Sequence, residues 1–221
     1  MFLLTPLLTI ALSLTSISAQ NCRCTSGSGC WPSDSEFQTL ASKVSQPLIR
    51  PVPPATPCYN SAAGNCTDVI AGWNNSIWRS DQPGAAEHTN YETYTFPNGT
   101  IQGCYLDVAL GIPCQQGSVP VIGVDARTPE DIQEAVIFAG NHNLRLVIKN
   151  TGWVNRPFLH NSVSFELIEV FIRHDYLGRS SGRDSFLIWT HHMKNITFHD
   201  SFTPTDAADS VTYDDGSSPI L

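Results

Sequence analysis

The stretch from Ser118 to Ser181 constrains this chain most, because it spells a strand, a helix, a second strand and a glycine turn in succession. SVPVIGVDA (118–126) is β-branched and apolar, as a buried strand requires. Thr128 then precedes Pro129, Glu130 and Asp131. That order predicts an N-cap oxygen, a proline at the first helical position and acids on the positive helix end. Ile132, Ala135, Val136 and Ala139 recur with helical spacing and predict one apolar face, with Asn143 as a left-handed C-cap after His142. LRLVI (144–148) is the second strand and runs into Lys149-Asn150-Thr151-Gly152. A βαβ unit crosses over right-handedly, and open α/β sheets place ligands beyond the carboxyl ends of their strands. The Thr151-Gly152 turn is therefore where chemistry is expected.

Composition narrows the setting. Residues 1–19 are apolar, uncharged and end in small residues, but Pro6 and the hydroxyl residues break the run. This pattern predicts a cleaved secretory leader rather than a membrane span. Seven cysteines all precede the βαβ unit and predict disulfides, one thiol being left over. They form no C-x-x-C pair, which argues against structural zinc. Sequons at Asn65, Asn74, Asn98 and Asn195 fit a secreted, extracellular glycoprotein. Twenty acids against twelve bases leave a formal charge of −8, which argues against nucleic-acid or anionic-membrane partners.

Before the unit, residues 20–115 form a cysteine-rich, weakly periodic region. Ser33–Val44 has helical spacing behind a serine cap, Ile49–Cys58 carries four prolines and should run extended, and Cys66–Asn75 suggests a short helix. Ser80–Gly99 gives no clean assignment. After the unit, Ser185–Thr190 and Ile196–Ser201 read as strands. His191, His192 and His199 invite a metal, but neighbouring strand residues face opposite ways, so polar residues at a strand end are the better reading. Residues 203–221 are acidic and serine-rich and are expected to be a disordered tail.

CQQGSVPVIGVDARTPEDIQEAVIFAGNHNLRLVIKNTG, followed later by HDYLGRSSG, resembles the flavin-binding domain of the berberine-bridge-enzyme-like oxidases. These are FAD-linked oxidoreductases of the vanillyl-alcohol-oxidase type with a PCMH-type FAD-binding domain, and the likeness is greatest to secreted fungal members. It covers roughly Trp78 to Phe202. The resemblance implies an α+β fold whose N-terminal part is a βαβ unit plus further strands, preceded here by the cysteine-rich arm, with residues 116–202 as a partial domain. It implies FAD as cofactor and a small organic molecule as substrate. Lys149, Asn150, Thr151 and Gly152 match the first half of the family's pyrophosphate loop. Asp175, Tyr176, Gly178, Arg179 and Ser180 match the second, and His174 matches the histidine that many members join covalently to the flavin. Consecutive backbone amides in such a turn make a concave anion site.

Two departures bear on the reading. In the family the two loop halves are contiguous, whereas residues 153–173 separate them here. That segment reads as an unspliced intron or gene-model error, against a genuine loop insertion. Its closure entropy costs only about 1 kcal/mol, but a split nest should hold a pyrophosphate poorly. The chain also stops where the family continues into a substrate domain, so no catalytic residue is assigned and little turnover is expected. The rival reading is a secreted cysteine-rich binding or structural protein without redox chemistry.

Overall fold

The computed structural model describes residues 22–150 and 178–195. The predicted strand Ile196–Ser201, the leader and the tail lie outside them, as do His199 and the separating segment 153–173. None of the described helices is long and apolar enough to cross a membrane.

The cysteine-rich region contains four short helices: α1 (Asp34–Ala41), α2 (Thr56–Tyr59), α3 (Cys66–Gly72) and α4 (Ser76–Ser80). Ser33 caps α1 in a reciprocal box with Glu36, and Asn65 and Asn75 cap α3 and α4 through their side-chain oxygens. The proline-rich run is not extended to its end: Pro57 sits in the first turn of α2, where its missing N–H costs nothing. Three disulfides, Cys24–Cys30, Cys58–Cys66 and Cys104–Cys114, staple this region, and Cys22 is the free thiol. A two-stranded hairpin, β1 (Tyr94–Thr95) with β2 (Ile101–Gln102), lies within Ser80–Gln102 and accounts for part of the stretch that gave no assignment.

The βαβ unit is present as β3 (Ile122–Asp125), α5 (Pro129–Asn141) and β4 (Leu146–Lys149), followed by β5 (Phe186–Trp189). The two strands joined by α5 are not neighbours. β5 inserts between them, so the sheet runs β3-β5-β4 with every pair parallel. All four residues of β5 are buried, as expected of a central parallel strand.

Thr128 caps α5, and Asp131 returns the bond; Asp131 also accepts from the Ser45 amide at 2.7 Å and the Arg127 amide at 2.9 Å. Asn143 adopts the expected left-handed conformation, with φ of 49°. The buried face differs from the predicted one. Ala135 and Ala139 are buried and Ile132 packs beside them, but Val136 is 45% exposed and Phe138 takes its place. The reason is an aromatic cluster: Phe138 lies 5.3 Å from Phe37 of α1 and 5.8 Å from Phe186 of β5. Ile122, Val124 and Ile188 complete this layer. On the opposite face Val147, Leu187 and Trp189 form a smaller cluster with Ile49.

Candidate functional site at the carboxyl edge of the sheet

The three parallel strands end together. Asp125 and Lys149 both register with Trp189, which places one acid, one base and one indole at the edge where α/β sheets receive ligands. The N-terminus of α5 does not serve as an anion site here. The amides leading into it are taken locally: Arg127 N and Thr128 N donate to one oxygen of Asp131, and Asp131 N donates to Thr128 Oγ1.

The segment from Arg79 to Glu92 lies across this edge. Arg79 is 5% exposed and Glu92 4% exposed, and they form a buried ion pair. Arg79 Nε also donates to the Ala86 carbonyl at 3.0 Å, and the Ala86 amide donates to Glu92 Oε1 at 2.9 Å. Lys149 closes the cluster from the sheet: its ammonium donates to the Gln82 carbonyl and lies 5.7 Å from the Trp189 ring centroid. Burial pulls the Lys149 amine down to about 7, against the attraction of Glu92. Burial likewise pushes the Glu92 carboxyl up to about 7, against the pull of Arg79. Both groups are covered by protein, so they fasten the segment to the sheet and are out of reach of a ligand.

Beyond β5 the chain turns instead of continuing as a strand. His191 and His192 therefore do not face opposite ways, as strand alternation suggested. Their rings meet edge to face at 4.7 Å. They still do not form a metal pair, because each is held by its own carboxylate. His191 Nε2 lies 2.6 Å from Asp81 Oδ1, and His192 Nδ1 lies 2.9 Å from Asp125 Oδ1. Burial lowers the His191 pKa, against its hydrogen bond to Asp81. Among the described residues no group of three or more His, Cys, Asp or Glu is arranged to hold a metal.

Of the residues matched to the pyrophosphate loop, Lys149, Asn150, Gly178, Arg179 and Ser180 are described; Thr151, Gly152, His174, Asp175 and Tyr176 lie outside the described residues. The described ends of the two halves reach the same segment of the arm. Lys149 is bonded at Gln82, and Gly178 lies against Tyr91. Gly178 has φ of 64°, and a Cβ there would meet the Tyr91 ring at 2.6 Å, so glycine is required twice over. The next turn is anchored by Gly182 N donating to the Ser118 carbonyl at 2.7 Å.

Sequence reasoning missed Arg79, Asp81, Glu92 and Asp125. Only Asp125 left a signal, as an acid ending an apolar strand.

A flavin dinucleotide brings a diphosphate, hydroxyls and a flat ring system. This edge has features that fit such a group. Among the described residues, Trp189 Nε1 and His191 Nδ1 are buried without a hydrogen-bond partner. Unpartnered buried polar atoms are rare, and two beside one strand end mark a place that an added group can complete.

No family model matches the chain. It is 40% identical over 190 residues to an uncharacterized FAD-linked oxidoreductase of Arthroderma benhamiae, covering 85% of this chain and 28% of that protein. It is 35% identical over 185 residues to the FAD-linked oxidoreductase asqF of Emericella nidulans, covering 83% of this chain and 28% of that one. Among solved structures, the VAO-type flavoprotein MtVAO713 from Myceliophthora thermophila superposes with a TM-score of 0.59 at 28% identity, over 84% of this chain and 28% of that one. The chain thus spans little more than a quarter of the length of the relatives it matches.

Proposed function

We propose that this chain, a homologue of the FAD-linked oxidoreductases with the fold of the VAO-type flavoproteins, builds one side of an FAD site at the carboxyl edge of its parallel sheet. The observation that carries the reading is the joint arrival of the ends of β4 and β5 and of both described loop ends at the segment Arg79–Glu92. Backbone amides of Asn150 to Gly152 and of His174 to Ser180 would take the diphosphate, and His174 would tether the ring, while Lys149 stays in the sheet ladder below them. Bound FAD supplies a hydride acceptor for a small organic substrate. The part of the relatives' length that this chain does not span would select and deprotonate that substrate, so binding without appreciable turnover is expected of this piece. Secretion is part of the reading: the sequon asparagines Asn65, Asn74, Asn98 and Asn195 are all exposed, as glycan acceptors must be.

The test is to express the chain beside a version lacking residues 153–173, supply FAD, remove the unbound fraction and precipitate with acid. Retained flavin is expected, and more of it in the shortened version, whose loop halves are contiguous. Acid-stable flavin that disappears in His174→Ala identifies the tether. A folded but colourless protein in both forms would overturn the reading and favour a cysteine-rich binding protein.

A further inference from the structure

We propose that His192, oriented by Asp125, is a contact residue of the bound nucleotide and accepts a hydrogen bond from one of its hydroxyl groups through Nε2. The inference rests on the flavin-nucleotide reading above.

Asp125 ends β3 and is only 7% exposed. Its Oδ2 accepts from Arg127 Nε at 3.1 Å and Nη2 at 2.5 Å, and its Oδ1 lies 2.9 Å from His192 Nδ1. A carboxylate held by a guanidinium can only accept, so Nδ1 of the histidine carries the proton. In the neutral ring Nε2 is then an acceptor. No hydrogen bond joins Nε2 to any other described residue, and the side chain is 31% exposed. The neighbouring His191 is 2% exposed, so of two adjacent imidazoles one is internal and one is presented.

The presented ring is also fixed. It meets Trp189 edge to face at 4.8 Å and 77°, and His191 at 4.7 Å and 76°. Two ring contacts and one carboxylate therefore hold a histidine that an ordinary surface position would leave free to rotate. Holding a polar group in place before binding is how proteins lower the entropy cost of recognition. The ligand chemistry follows from charge. Asp125 offsets Arg127, so the spot adds little net positive charge beside the Nε2 lone pair. That suits a hydroxyl donor of the ribityl or ribose group better than a phosphate oxygen.

Diethyl pyrocarbonate acylates neutral, accessible imidazole nitrogens, and mass spectrometry reads each histidine separately. The full chain is labelled alone, with FAD and with ADP, after a fluorescence titration has established saturation. His142 at the end of α5 belongs to the opposite edge of the sheet and is the unprotected control; buried His191 should stay unlabelled throughout. FAD is expected to slow His192 labelling roughly tenfold and to leave His142 unchanged. Protection by ADP as well puts the contact on the adenosine half; protection by FAD alone puts it on the flavin half. His192→Ala should weaken FAD binding several-fold, and His192→Gln should restore part of it by returning an acceptor. Saturable FAD binding with His192 labelling unchanged overturns the contact and leaves the flavin reading standing. No FAD binding by the folded chain overturns the flavin reading itself, and this inference with it.

Discussion

Replacing Arg79 by alanine should destabilise the fold by about 3–5 kcal/mol, as expected when one partner of a buried ion pair is removed and the other is stranded. Glu92, 4% exposed beside Arg79, would keep only the Ala86 amide among the partners described for its Oε1. Arg79 also lies 5.1 Å from the Trp73 ring centroid and bonds the Ala86 carbonyl, so its loss loosens the segment over the sheet edge. The penalty depends on pH with a definite sign. A carboxyl whose folded pKa is raised costs stability above its unfolded pKa, so the variant should recover as pH falls toward 4.5. Urea unfolding of the single variants and of the Arg79→Met/Glu92→Met double tests this. The double should be closer to wild type than either single, because no charge is left unpaired. A small, additive pair of effects would mean that the ion pair does not hold the segment.

Lys149→Met should alter the pH profile of stability more than any other single change. In the wild type the amine titrates near 10.5 when unfolded and near 7 when folded. Between those values the unfolded chain binds a proton that the folded chain lacks, so stability rises with pH across that window. Glu92 acts in the opposite sense from 4.5 to about 7, where the folded state holds the extra proton and stability falls as pH rises. Together they place a trough near neutrality. Arg79, Asp81 and Glu87 share the field around Lys149, and His191 on Asp81 adjoins it. Methionine keeps the length without the charge, so the rising limb above pH 7 should flatten by up to about 1.4 kcal/mol per pH unit. Urea midpoints from pH 5 to 10 read this directly. Equal slopes in wild type and variant would show that Lys149 is not the titrating group.

What the sequence revealed and what it hid separate along physical lines. The ends of α5 were legible because capping is local: Thr128, Pro129, Asp131 and Asn143 act within a few residues of themselves. The strands β1 and β2 had no apolar run and were not assigned, whereas β3, β4 and β5 were legible from theirs. The order β3-β5-β4 was not, since nothing in residues 122–149 signals that a later strand will part them. Val136 was taken for a core residue because periodicity ignores what the helix packs on; Phe37 and Phe186 draw Phe138 inward instead. At the site, the glycine of the second loop half was visible as a motif. The charges at Arg79 and Glu92 were not, because charged residues distant in sequence read as surface until a fold buries them together; Lys149 was named for the loop, but its burial against Glu92 was hidden for the same reason. For His191 and His192 only the facing was misjudged, because strand alternation was carried past Thr190 into a turn.

Whether this sheet edge, roofed by the arm, receives a flavin dinucleotide is decided by titrating the purified chain with FAD and with ADP as competitor, beside Gly178→Ala, which would drive a methyl group into the Tyr91 ring at a left-handed backbone position. Saturable binding of one FAD, displaced by ADP and strongly weakened in Gly178→Ala, is the predicted result. A folded chain that binds neither nucleotide, or a variant that binds FAD as well as the wild type, would contradict it.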